Sequence, residues 1–291
     1  MAKATVMKFD KLPSTGTAFI KAATAKKPGL KTGKTIPPIT AEVKNLPIDG
    51  NKLVRYRKVC GFPGGKTVPA PFMHIYAAPL HMALLTSEQF PLKLLGLVHI
   101  RNSMTQHRPV KVDESLDVTV TIDGHREVPL GIEFDIVSKV HVGDELVWES
   151  VSTNLSRKAA GGSKKKGAKK APAKLEKLPA SSKISIPAGT GRKYGVVAGD
   201  VNPIHLFDVT AKAFGFKKAI IHGMWTLAKS AAVLDSQLPR KFRYDVEFKL
   251  PIFMPANVQL QYQNAGESIA LRVMDSKGAK PHMVGNIEFL S

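Results

Sequence analysis

Residues 194–205 read Tyr194-Gly-Val-Val-Ala-Gly-Asp200-Val-Asn202-Pro203-Ile-His205 and run on through Ala211 to FGFKKAIIHGM. A carboxylate and an imidazole this close in sequence can hold one water between them and move its proton near neutral pH. Asn202 is a good helix cap and Pro203 suits a first helical position. The spacing therefore predicts a helix from Pro203 with His205 in its first turn, where the positive end of the helix dipole lowers an imidazole pKa. Asp200 precedes the cap in a loop opened by Gly199, so the two side chains converge on one small space. Gly215 is placed to end that helix and Gly223 to open the next, where an unobstructed backbone N–H can face an anionic oxygen. On spacing alone, a capped helix with an incidental histidine accounts for the same residues.

Other chemistry-bearing residues carry less. His74 and His81 share a helical face if a helix survives Pro79, but the surroundings are apolar and offer no nearby acidic ligand, so no metal site is expected. GFPGG at 61–65 is a glycine-rich turn without the lysine and hydroxyl ending of a phosphate loop. Asp10 reads as tail, Cys60 as a buried thiol and the His99–His107 segment as strand. Trp148 and Trp225 read as core.

The elements that must position the aspartate and histidine fall into two blocks. In the first, PFMHIYAAPLHMALL can form an apolar helix that Pro79 breaks or kinks, followed by strand-like runs at Leu97–Met104, Leu116–Ile122, Gly131–Val140 and Glu145–Leu155. In the second, a short strand KISIPA precedes a helical region from Pro203 to Leu238. Strands then follow at Phe242–Leu250, Asn257–Gln263, Ser268–Met274 and His282–Leu290. Helix first and antiparallel strands afterwards, twice, predicts α+β halves in which a sheet wraps a helix.

The 291 residues are 43% hydrophobic, enough to build cores, which excludes wholesale disorder. A single cysteine excludes an intramolecular disulfide and any multi-cysteine zinc site, and suits a reducing, cytoplasmic setting. The longest apolar stretches, Phe72–Leu85 and Ala219–Leu234, are interrupted by histidines or a lysine, so no membrane span is expected. Of the net charge of +20, residues 1–34 carry +7 and residues 156–183 carry +9. The charge is thus concentrated in two stretches poor in large apolar residues. They read as a flexible N-terminal extension and a solvated linker rather than a folded nucleic-acid face.

Taken together, Tyr194, Gly199, Asp200, Asn202, Pro203, His205 and Ala211 resemble the hydratase-2 signature of the MaoC-like dehydratases, and GFKKAIIHGM is similar to the same family. The first block, with HIYAAPLHMALL and GLVHIRNSMTQHRPV, is similar to the inactive half of double-domain members. The resemblance implies a double hot-dog, each half an antiparallel sheet wrapped around a central helix. It divides the chain into a basic extension (1–35), an N-terminal half without a catalytic motif (36–156), a Lys-rich linker (157–183) and a catalytic half (184–291). It further implies reversible hydration of a (2E)-enoyl thioester to the (R)-3-hydroxyacyl thioester, on coenzyme A or an acyl carrier protein, in fatty-acid metabolism. Asp200 and His205 match the catalytic pair, Gly223 matches the backbone donor to the thioester carbonyl, and Tyr194, Gly199, Asn202 and Pro203 support them. No cofactor and no metal are implied. The two halves form a pseudo-dimer within one chain, with a homodimer of whole chains left open, and the first half is expected to shape the acyl tunnel.

Two other readings are separable by experiment. A thioesterase or non-catalytic acyl-thioester binder on the same fold would release thiol or turn nothing over. A polyanion-binding protein would depend on the lysine-rich stretches.

Overall fold

Strict alternation in SLDVTVTI produces the strand it implies: Leu116, Val118, Val120 and Ile122 are fully buried while their neighbours face outward. The computed structural model describes residues 4–16, 26–94, 96–157 and 177–291. Its first half contains β1 (Thr5–Phe9), β2 (Ile39–Pro47), α1 (Gly50–Cys60), β3 (Thr67–Val68), a 3-10 turn at Ala70–Met73 and α2 (His74–Thr86). It continues with β4 (Leu97–Gln106), β5 (Val110–Lys111), β6 (Ser115–Ile122), β7 (Arg126–Val128), β8 (Gly131–Val142) and β9 (Glu145–Arg157). The second half contains β10 (Ala180–Ile186), α3 (Thr190–Ala198), α4 (Asp208–Ala213), α5 (Gly223–Leu234), β11 (Phe242–Phe248), β12 (Ala256–Asn264), β13 (Ser268–Asp275) and β14 (Pro281–Phe289).

One sheet runs through both halves in the order β1-β2-β6-β8-β9-β4-β11-β14-β13-β12-β10. The half-sheets β2-β6-β8-β9-β4 and β10-β12-β13-β14-β11 have the same internal order, each placing its second strand at the junction. There β4 and β11 pair antiparallel, from Phe242 opposite Gln106 to Glu247 opposite Arg101. Each half encloses an almost wholly apolar helix, α2 with Ile75, Tyr76, Leu80 and Leu84 buried, and α5 with Trp225, Leu227, Ala231 and Leu234 buried. A helix apolar on every side is stable only when it is enclosed. This is the double hot-dog of class α+β. The halves are also joined away from the sheet, since Trp225 Nε1–H donates to the Val59 carbonyl at 2.9 Å and the rings of Tyr56 and Tyr194 lie 6.1 Å apart.

Several expectations need correction. Pro79 does not break α2, which runs continuously from His74 to Thr86 because the surrounding sheet holds it in place. The basic N-terminal stretch is not wholly loose: Thr5–Phe9 pairs in parallel with β2, Leu12 packs on the core and Thr15 lies against Gly199. The strand expected at KISIPA begins earlier, at Ala180, inside the stretch assigned to the linker. Residues 158–176, most of that linker, lie outside the described residues. Among the described residues, no helix is long and apolar enough to cross a membrane.

Candidate active site

Helix α3 carries Gly191 and Gly195 one turn apart, and the loop from Asp200 to His205 lies across them. A Cβ on Gly195 would sit 2.7 Å from the Asp200 carbonyl oxygen, and one on Gly191 would collide with the His205 carbonyl and Met254. The left-handed Gly199, at φ +71°, then turns the chain out of α3 and into Asp200. Gly195→Ala is accordingly expected to displace the loop and cut turnover by about tenfold or more while the melting temperature changes little, since misplacement of about 1 Å can cost ~100-fold. Steady-state kinetics beside a thermal melt would check it, and normal turnover would show that the loop does not depend on this contact.

Beyond Asp200 the expected helix start is shorter than predicted. Asn202 does act as the cap, accepting from the Ile204 N–H at 3.4 Å, and Pro203 takes the first position, but the element is a single 3-10 turn, Pro203–His205. The helix α4 begins only at Asp208. His205 therefore has no long helix dipole behind it. Its pKa is nonetheless lowered, and the cause is burial, only partly offset by Asp200 and the Ile220 carbonyl. That carbonyl is in place because the Ile220 N–H pairs with Ile204 at 3.0 Å. His205 Nδ1 lies 2.7 Å from the Ile220 oxygen and must donate to it. The tautomer is thereby set, with the lone pair left on Nε2.

Asp200 keeps 43% of its side-chain surface accessible at the mouth of an otherwise packed site. Burial opposes its charge, but the imidazoles of His222 and His205 and the Asn202 N–H, 3.2 Å from Oδ1, outweigh it and hold the carboxyl below its ordinary value. A carboxylate and a neutral imidazole are thus both present at neutral pH.

His222 is a member of this site that sequence reasoning missed, although it stands in the quoted IIHGM. It is 2% exposed, its ring stacks on His205 at 3.7 Å with 28° between planes, and its Nε2–H donates to the Asp200 backbone oxygen at 3.0 Å. Burial pushes its pKa down to about 3. It acts as a neutral strut between the start of α5 and the Asp200 loop. Tyr194, fully inside, packs its ring 5.0 Å from His222 and props it from below. Ligand atoms of Asp200, His205 and His222 lie within 4.8 Å of one another. One nitrogen of each imidazole is committed to a carbonyl, His205 Nδ1 to Ile220 and His222 Nε2 to Asp200, which leaves His205 Nε2 and His222 Nδ1.

Gly223 is the first residue of α5, so its N–H has no partner within the helix. A Cβ there would be 2.9 Å from the Phe248 ring, which explains why the position is glycine. The N-terminus of this twelve-residue helix favours a developing negative charge.

The first half repeats the scaffold with different residues at the matching place. Helix α1 also ends on a left-handed glycine, Gly61 at φ +88°, but the next residue is the buried Phe62. A cavity of about 250 Å³ lies beside it, lined by Arg57, Phe62, Gly64, Asp235, Arg240 and others. It contains neither Asp200 nor His205.

Known proteins share this sequence pattern and this fold. Residues 170–284 match the MaoC like domain. The chain is 33% identical over 275 residues to 3-hydroxyacyl-thioester dehydratase X of Mycobacterium tuberculosis, covering 94% of this chain and 97% of that one. A crystal structure of HtdX of Mycobacterium tuberculosis superposes with a TM-score of 0.75 at 30% identity, covering 86% of this chain and 100% of the other. A MaoC-like dehydratase from Phytophthora capsici shares the fold with a TM-score of 0.68 at 16% identity, over 88% of this chain and 96% of that one. With a relative this similar along nearly the whole of both chains, the protein belongs to the MaoC-like dehydratase family.

Proposed function

We propose that the protein interconverts (2E)-enoyl and (R)-3-hydroxyacyl thioesters by adding or removing water, with Asp200 and His205 as the catalytic pair and the Gly223 N–H as donor to the thioester carbonyl. The observation that carries this reading is the free Nε2 lone pair on His205 facing a site shared with an ionised Asp200. In hydration, the pair takes a proton from water as its oxygen bonds to C3. Electron density moves through C2 to the thioester oxygen, where the Gly223 N–H and the α5 terminus stabilise it. A proton then returns to C2, so the elements of water are added and nothing else is consumed. Dehydration is the reverse. Asp200 and His205 titrate as a coupled unit, and the pair rather than one member is the base.

The active half is residues 184–291, with residues 36–156 lacking a second centre because Phe62 follows the helix-ending glycine where Asp200 does in the other half. The carrier is coenzyme A or an acyl carrier protein, and the net charge of +20 favours encounter with either anion. The test is a hydration assay on short and long enoyl-coenzyme A thioesters, following loss of the conjugated absorption. We expect (R)-3-hydroxyacyl product, no free thiol and no loss of rate with a chelator. Thiol release without hydration would replace this reading with a thioesterase.

A further inference from the structure

Two histidines of the N-terminal half, His74 and His99, reach toward the site, with His81 behind them. His74 opens α2, His81 lies two turns further along it with its ring 5.3 Å from that of His74, and His99 is on β4. His74 and His99 are both close enough to Asp200 for its charge to act on them. The His99 ring meets Phe248 at 5.2 Å, and Phe248 closes on Gly223. His99 is therefore one aromatic ring away from the proposed carbonyl donor and within electrostatic reach of the proposed base.

Two of these imidazoles are incompletely bonded. His99 Nε2 and His74 Nδ1 are buried and have no hydrogen-bond partner among the described residues. Burial holds the His99 ring neutral, with a pKa of about 3, so Nε2 presents either a lone pair or an N–H, and a hydroxyl can pair with both. A buried polar atom without a partner costs about 1–3 kcal/mol, and a bound ligand can supply that partner. The interior behind is polar too. His81 Nε2 and Ser138 Oγ are 2.7 Å apart, and Asn102 donates to Ser150 and Ser152 at 3.1 and 3.0 Å. Apolar side chains would have filled this space more stably if its task were only to be core, or to sheath an alkyl chain.

We propose that His99, backed by His74, is a specificity-determining wall supplied by the N-terminal half, selecting acyl groups that carry a hydroxyl a few carbons beyond the reacting pair over plain alkyl chains. The inference rests on the proposed hydration site, since it places this wall beside Asp200 and Gly223. The chemical class is an oxygenated acyl thioester whose hydroxyl pairs with His99 Nε2.

The test separates this inference from the reading it rests on. Calorimetric binding of hexanoyl-coenzyme A and 5-hydroxyhexanoyl-coenzyme A, neither of which can be hydrated, is compared in the intact protein and in His99→Phe and His99→Gln. We expect the intact protein to bind the hydroxylated ligand about tenfold or more tightly, the preference to vanish in His99→Phe, and part of it to survive in His99→Gln. Thermal melts confirm that both variants are folded; should His99→Phe not fold, His99→Gln against the intact protein carries the comparison. No preference in the intact protein, or an equal preference in a folded His99→Phe, overturns the inference. Turnover of hex-2-enoyl-coenzyme A by the intact protein is measured beside it. Turnover without the preference removes the inference alone, whereas absence of any turnover removes the hydratase reading.

Discussion

Asp200→Asn is expected to lower turnover by about 100-fold or more while leaving the fold unchanged. Asparagine keeps the oxygen that accepts from the Asn202 N–H, and the side chain it replaces is 43% exposed, so neither packing nor the loop is disturbed. What disappears is the group that can accept a proton. His205→Ala is expected to fall as far, and the double variant little further, because two residues that act on one water act as a unit. The pH profile adds a sign. His205 must be neutral to accept a proton, and burial holds its pKa below the ordinary imidazole value of about 6.5. The acid limb of kcat is therefore expected below that value, and a limb above it would mean that His205 works as an imidazolium. Near-normal turnover of a folded Asp200→Asn would remove the assignment altogether.

The second large effect concerns stability in mild acid. His74, His99 and His222 are held neutral by burial, with pKa values near 4, 3 and 3, and His81 lies well below its ordinary value for the same reason. In the unfolded chain each takes up a proton near pH 6.5. Their contribution is complete above that pH and is lost as the pH falls from 6.5 toward the folded values of 3 to 4. Between pH 6.5 and 5.5 each costs ~1 kcal/mol, about 3 kcal/mol for these three, against a total stability typically of about 5–15 kcal/mol. A fall of roughly 10 °C in melting temperature between pH 7.5 and 5.5 is expected for a chain of this size. The lowered carboxyls, Asp200, Asp135 and Glu114, titrate below their ordinary values and stay outside this window. Melts across that range, with His99→Phe flattening the slope, check it. A flat profile would show that the histidines are solvated.

How much of this was readable from residue order depends on how local each signal is. The alternating strands β6, β8, β9 and β11 to β14 were legible because their period of two survives any context, and α5 was legible as an apolar helix opened by a glycine. Helices α1 and α3, and strand β2, were not. GNKLVRYRKVC is polar and short, and forms because Asp49 caps it and Gly61 ends it. TGRKYGVVA contains two glycines that disfavour a helix, and exists because those glycines admit the Asp200–His205 loop. Its justification lies in a contact, not in its own composition.

The sequence by itself determined the chemistry offered by the second half: an aspartate, a histidine and a helix-opening glycine at a spacing that resembles one family, on a chain with no second copy of that motif. Those are matters of residue type over thirty positions, where chain connectivity keeps the groups together. Only the tertiary structure decided what faces them. His222 reaches back across 22 positions to hold the Asp200 carbonyl, and His74 and His99 arrive from more than a hundred residues away because β4 and β11 join the two halves into one sheet. No periodicity records such convergence, since it follows from how the two halves meet.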